Sequence, residues 1–309
     1  MNGLEYIQNK QVAWAMRKGL TPVGSTFQNE GEKNYVEKLE ENLFHALTDE
    51  TLKQLERGDG HETKGITRKG KHYRPKINAL HSSAAIVINL FQYWHNKDVL
   101  PILYACGLCS KQPPGIDMMY ENIGADHPSM FSTSRNPLAN KIEFERKYKI
   151  TGKYIPPNID IVIGNFQPQI YAIESKFTEP YRGKPSGISK EHIDKNSLWI
   201  GLPNLHELAK EISPDNHKFE YLDAAQLIRH ILGLKNEYKN GFKLLYLWYD
   251  VIGHSGSEHR NEIEQFAKIA KKDKIKFSHI TYQEVISRLT QEFYAGNEDY
   301  CNYLTDRYL

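Results

Sequence analysis

An α/β fold is predicted, and three observations predict it. Apolar residues recur at helical spacing near the start of the chain. Two short apolar runs joined by turn residues lie at its centre, and strand-like and helix-like segments alternate toward its end. In order, Val36, Leu39, Leu43, Phe44 and Leu47 follow a helical period, so the N-terminal part to about residue 57 reads as helical. Thr48-Asp49-Glu50 starts a second helix carrying Leu52 and Leu55, and Gly58-Asp59-Gly60 ends it. A basic loop follows, with Lys64, Arg68, Lys69, Lys71, Arg74 and Lys76 and no acid among them. The apolar stretch from Ser82 to Trp94 predicts a buried helix capped by Ser82 or Ser83, although Ile86 to Ile88 could equally start a strand. Residues 96–135, rich in Gly and Pro, predict loops and short elements.

From Lys141 the period becomes two. Ile142 and Phe144 alternate with Glu143 and Glu145, predicting a strand. A second strand, Asn158 to Gly164, is linked to a third, Ile170 to Phe177, by the turn residues Gly164-Asn165-Phe166-Gln167-Pro168. A Gly/Pro/Lys loop runs from Thr178 to about Asn196. Tyr221 to Gly233 predicts a helix with Gly233 as terminator, and Lys243 to Val251 a buried strand. A helix from Glu258 to Lys272, a strand near Phe277 to Ile280 and a helix from Tyr282 to Leu289 close the series.

The composition excludes several classes. At 309 residues, with 39% hydrophobic and 25% charged content, the chain suits a globular protein with a sizeable core. No apolar run approaches the ~20 residues that span a bilayer, and the start lacks a signal pattern, so a cytoplasmic protein with no membrane partner is expected. A net charge of +2 gives no global attraction to nucleic acid, so any such binding rests on local patches. Three cysteines argue against a disulfide framework. Cys106 and Cys109 form one Cys-x-x-Cys without a second pair, which favours small buried thiols over a zinc or redox site. His254 and Glu258 are spaced wrongly for a zinc helix, and Gly256 disfavours one there.

The chemistry concentrates in the central pair of strands. Asp160 lies between Ile159 and Ile161 on the first, and Glu174 and Lys176 share a face of the second, about 7 Å apart. Two carboxylates and an ammonium on one sheet face are costly unless something compensates them. A divalent cation on the carboxylates and a phosphate on the lysine would do so. The bland alternative is a structural Glu–Lys ion pair.

An aspartate entering an apolar strand, followed in the next strand by Glu174-Ser175-Lys176, resembles the PD-(D/E)XK nuclease superfamily, the restriction-endonuclease-like fold. The resemblance is best from Lys141 to Thr178. It departs from the pattern at Ile159, where the superfamily has proline, although Pro156 and Pro157 lie just upstream. It implies a mixed central sheet flanked by helices over residues 81–309, preceded by a helical region with the basic loop over residues 1–80. It also implies a Mg²⁺-dependent deoxyribonuclease, with Mn²⁺ as substitute, of which a restriction endonuclease is one form. Asp160, Glu174 and the backbone carbonyl of Ser175 would bind the metal, and Lys176, its pKa lowered by metal and burial, would attend the attacking water.

Glu62 is the expected further acid and Gln226 a site-facing helix residue. Lys69, Lys71 and Arg74 are the expected DNA contacts, with Tyr73 and His72 available to stack on a base. Double-stranded DNA is the expected partner, and a symmetric homodimer the simplest double-strand cutter. The rival expectation is a non-catalytic nucleic-acid-binding module that keeps the fold.

Overall fold

A computed structural model of the protein describes residues 2–57, 62–110, 141–150, 156–164 and 169–309. The central feature is a five-stranded mixed sheet in sequential order: β3 (Ile142–Lys147), β4 (Asn158–Gly164), β5 (Ile170–Lys176), β6 (Phe242–Trp248) and β7 (Phe277–Thr281). β3, β4 and β5 run antiparallel to one another, and β6 and β7 then pair parallel to β5. Period-two alternation separates the two faces. Ile161, Ile163, Ile173, Leu245 and Leu247 pack to one side with α1 (Gly3–Arg17), α2 (Asp49–Arg57), α3 (Ser83–Phe91), α4 (Leu100–Ala105), α9 (Tyr282–Glu292) and α10 (Glu298–Tyr308). Val162, Ala172, Leu244, Tyr246 and Trp248 pack to the other with α6 (Pro203–Glu211), α7 (Ala224–Tyr238) and α8 (His254–Lys272). A single-turn helix, α5 (Lys190–Ile193), lies in the crossover from β5 to β6. The sheet is therefore covered on both sides, as its near-continuous apolar strands require. No helix among the described residues is long and apolar enough to cross a membrane.

Several elements sit where the sequence puts them. Ser82 caps α3 through Ala85 N, and Thr281 and Glu284 close a capping box on α9. Asn2 and Glu5 do the same for α1. The helix expected through Val36 to Leu47 is absent: a single 3₁₀ turn, Leu39–Asn42, is what forms. Long-range pairing overrides the local period there. Val36 N donates to Asn78 O, Leu80 N to Asn34 O, and the buried Asn42 amide to Ile77 O and Ala79 O.

The basic loop is a hairpin, β1 (Ile66–Arg68) and β2 (Lys71–Tyr73), whose two-residue turn has Lys69 at φ 48° and Gly70 at φ 75°. Positive φ at both central residues matches the twist of the strands. Gly233 does not end α7, which continues to Tyr238. It is instead a close-approach site, where a Cβ would lie 2.8 Å from Tyr148 Cβ. α8 begins at His254, four residues before the expected start, and Gly256 fits its first turn because a Cβ there would strike Val251 O. The expected loop from Thr178 holds two 3₁₀ turns and α5, and α6 and α10 carried no sequence expectation. Gly58-Asp59-Gly60, the turn after Gly164 and most of residues 96–135 lie outside the described residues.

One apolar core crosses residue 80. Ile7, Leu55 and Ile77 share it with Ile86, Ile173, Leu304 and Tyr308.

Candidate active site

β4 and β5 separate at their business end. Regular pairing runs from Gly164↔Ile170 to Ile161↔Ile173; one step further, the Asp160 carboxylate rather than a backbone carbonyl accepts from Ser175 N, at 2.7 Å. On the other side, β3 keeps its register with β4 but loses one rung of the ladder. Phe144 faces Ile161 and Arg146 faces Ile159, while Glu145, between them, takes φ 54°. A left-handed non-glycine residue inside a strand is a strained feature of the kind found at functional sites. The missing rung is the one opposite Asp160, and Glu145 and Asp160 both line a cavity of about 330 Å³.

That cavity gathers five of the residues singled out in the sequence: Glu62, Asp160, Ser175, Lys176 and Gln226. Gln226 arrives from the first turn of α7, which Asp223 caps by accepting from Gln226 N. Glu62 stands on the rim, paired with Lys76 at 3.2 Å. Glu174 lies directly behind Lys176, 1% exposed, with Oε1 2.6 Å from Nζ.

The site also contains residues that sequence reasoning missed. His230, fully buried on α7, brings Nε2 to 2.9 Å from Glu174 Oε2, without hydrogen-bond alignment. It lies one helical turn beyond Gln226, so the i, i+4 spacing could have found it. Glu179 turns back under Lys176 and accepts from Phe177 N and Thr178 N, each at 3.0 Å. It sat in a segment read as loop, with no periodic signal. Glu145 was read only as an alternating residue of its strand; at positive φ and without a rung to Asp160, it lines the cavity.

The electrostatics follow from burial and count. Burial, and then the neighbouring Glu174, raise Asp160 well above the usual carboxylate range. Burial would also raise Glu174, but Lys176 and His230 outweigh it and hold that carboxyl at about 2. Burial would lower Lys176, yet Glu174, Asp160 and Glu179 together raise it. Without a metal, the direction is thus opposite to that expected beside one: with three carboxylates around it, the side chain is held as an ammonium.

Whether a divalent cation fits can be judged from the donors. Glu174 Oε2 is buried without a hydrogen bond, and Asp160 offers carboxylate oxygen to the cavity, the hard-donor pair that Mg²⁺ or Mn²⁺ takes with waters completing the shell. Among the described residues no set of three or more His, Cys, Asp or Glu side chains encloses a metal position.

The expected DNA contacts divide. Lys69 and Lys71 are exposed on the hairpin, Lys71 against Glu30 at 2.7 Å. Arg74 does not reach the surface as expected: it is 7% exposed, donates from Nε to Gly24 O and stacks 4.9 Å over the Phe27 ring. Its guanidinium ties the base of the hairpin to residues 24–27. The thiols are buried at Cys106 and half-buried at Cys109, and burial pushes both upward, away from the thiolate a metal or redox site needs. His259 is buried on α8 between Tyr246 and Tyr181.

A mixed sheet whose forked central strands present Asp160 and Lys176 at an open cavity, with Glu174 buried beside them, is the arrangement expected of a nuclease-like α/β protein. The family model described as "Restriction Endonuclease associating with ARP" matches residues 8–309, and the chain belongs to that family. No curated protein and no solved structure matches it.

Proposed function

We propose that the protein is a metal-dependent endonuclease that hydrolyses phosphodiester bonds in DNA, acting as a restriction endonuclease of the PD-(D/E)XK type. One observation carries the reading. Asp160, Glu174 and Glu179 bear on one ammonium in a buried setting; Asp160 lines open space that a cation could fill, and the buried Glu174 beside it has an oxygen without a hydrogen bond. An ion pair kept only for stability would not leave this charge uncompensated. Membership of a restriction-endonuclease family supports the same activity.

In this reading Asp160, Glu174 and the carbonyl of Ser175 hold Mg²⁺, with Mn²⁺ as substitute. The bound cation supplies an acidified water and polarises the phosphate. Lys176, held as an ammonium, acts as an electrostatic clamp: it donates to the attacking water and offsets charge building on the non-bridging oxygens. Glu174, kept ionised by Lys176 and His230, stays a competent ligand. Glu62 and Gln226, which line the same cavity, position substrate or water. The hairpin presents Lys69 and Lys71 to the phosphates of double-stranded DNA, and Arg74 serves by anchoring it. The chain works as a symmetric dimer on two strands, and the ARP association in the family description extends to it as a partner.

The test is cleavage of plasmid, single-stranded DNA and structured RNA with Mg²⁺ or Mn²⁺, comparing wild type with Lys176→Ala and Asp160→Ala. Metal-dependent cutting of plasmid that disappears in both variants is the expected result. A wild-type protein that binds these polymers but never cuts them would return the chain to a binding module.

A further inference from the structure

Asp160 has a second open side. A further cavity of about 290 Å³ adjoins the first, and the two share Glu145, Asp160 and Gln226. The shared residues make a continuous cleft of them, with the carboxylates at its middle. Each end carries a base: Lys76 lines the first cavity, and Arg229, from α7, lines the second.

The two bases differ in how they are engaged. Lys76 is paired with Glu62. Arg229 makes no hydrogen bond or ion pair among the described residues, although Glu145 and Asp160 line the same cavity. Its charge is instead felt by His192, whose pKa falls, first through burial and then through Arg229. The side chain is half-buried rather than free in solvent. A fork of donors, partly desolvated and unspent, beside carboxylates that repel small anions, suits an anion delivered as part of a larger molecule.

We infer that the second cavity is a phosphate subsite. Arg229 grips a backbone phosphate of the nucleic-acid strand whose neighbouring phosphodiester lies at Asp160, so the strand runs through the cleft from the Lys76 end to the Arg229 end. This rests on the nuclease reading of the site. Arg229 and His230 then divide the work of one helical turn, with His230 turned inward to Glu174 and Arg229 outward to substrate.

The experiment measures binding of a short labelled DNA duplex, and of its single strand, to the full chain across a salt series in Ca²⁺. Wild type, Arg229→Ala and Arg229→Lys are compared, with melting temperatures as a fold control and plasmid cleavage in Mn²⁺ run in parallel. Arg229→Ala is expected to weaken binding about tenfold and to lower the salt slope by about one, and Arg229→Lys to keep the slope. An Arg229→Ala protein with wild-type affinity and slope overturns the subsite. A wild type that binds DNA without cutting it costs only the catalytic reading, and the slopes still decide the subsite. A wild type that binds neither form of DNA overturns both.

Discussion

Two clusters of buried charge in this molecule are handled in opposite ways. Arg307, on α10, is fully buried, and each of its five N–H donors has an acceptor. Nε donates to Gln11 Oε1 at 3.0 Å, Nη1 to Asn42 O at 2.7 Å and Tyr303 OH at 2.6 Å, and Nη2 to Asn42 Oδ1 at 2.5 Å and Leu80 O at 3.1 Å. The plane also lies 4.1 Å over the Trp14 ring. At the forked end of the sheet the accounting stays open: Glu174 Oε2 and both ring nitrogens of His230 are buried without hydrogen bonds, and Asp160 is pushed toward its neutral form. A closed set of partners stitches helices together. An open one, at a cavity, is a place prepared for a ligand.

The largest expected effect tests the closed cluster. Arg307→Met should cost about 3–5 kcal/mol, because Asn42, Leu80 and Gln11 lose their donor inside the core. Urea unfolding measures it, and a loss below about 1 kcal/mol would break the contrast. Next comes the open cluster. Lys176→Met should lower single-turnover cleavage by about 10²–10³-fold, the cost of removing one preorganised donor from a developing oxyanion. Near-normal turnover would reduce the Glu174–Lys176 contact to a structural pair.

This contrast was only half legible in the sequence. The carboxylates and the lysine were, because period two in a strand fixes which side chains share a face, and the turn residues after Gly164 predicted their neighbour. The succession of strands and helices along the chain was read from periodicity and apolar runs, whereas which strands pair, and in which direction, was not. Glu145 was not read, since its role depends on a positive φ inside a strand that no periodic pattern encodes; His230 was missed although its i, i+4 spacing from Gln226 was there to read. Arg74 looked like its basic neighbours until the chain folded residues 24–27 against it. Val36 to Leu47 misled for a related reason: their helical period is real, but extended pairing with residues 77–80 stabilises another conformation.

A smaller effect sharpens the comparison without any catalysis. Asp160→Asn keeps an oxygen for Ser175 N and removes a charge whose burial is unfavourable. For an acid raised on folding, the cost is absent below the unfolded pKa and grows as pH rises through the folded one. At pH 8, without metal, the variant should therefore gain about 1 kcal/mol, a few degrees in melting temperature, and the gain should shrink toward pH 5. Mn²⁺ should raise the melting temperature of wild type and not of the variant. Equal stabilisation of both by Mn²⁺ would separate the open cluster from metal binding.

The smallest effect concerns a buried group that belongs to neither cluster. His259 is packed between Tyr246 OH, 2.9 Å from Nε2, and Tyr181 OH, 3.4 Å from Nδ1, and burial followed by the nearby Lys176 holds it down at about 3. It is thus a neutral base with its bonding complete, close to the open site but closed like Arg307. A base whose pKa drops on folding takes up a proton when the chain unfolds between its folded value and the ordinary histidine value near 6.5. Its contribution to stability is complete above that value and declines as pH falls through the window between them. Changing His259 to Gln, which can still bond a tyrosine hydroxyl, should lower stability at pH 7 yet flatten its fall between pH 7 and pH 5. Thermal melting in that interval measures the slope. If the variant loses stability on acidification as steeply as wild type, the neutral-histidine account of this contact is wrong, and the acid sensitivity belongs to the carboxylates of the cleft.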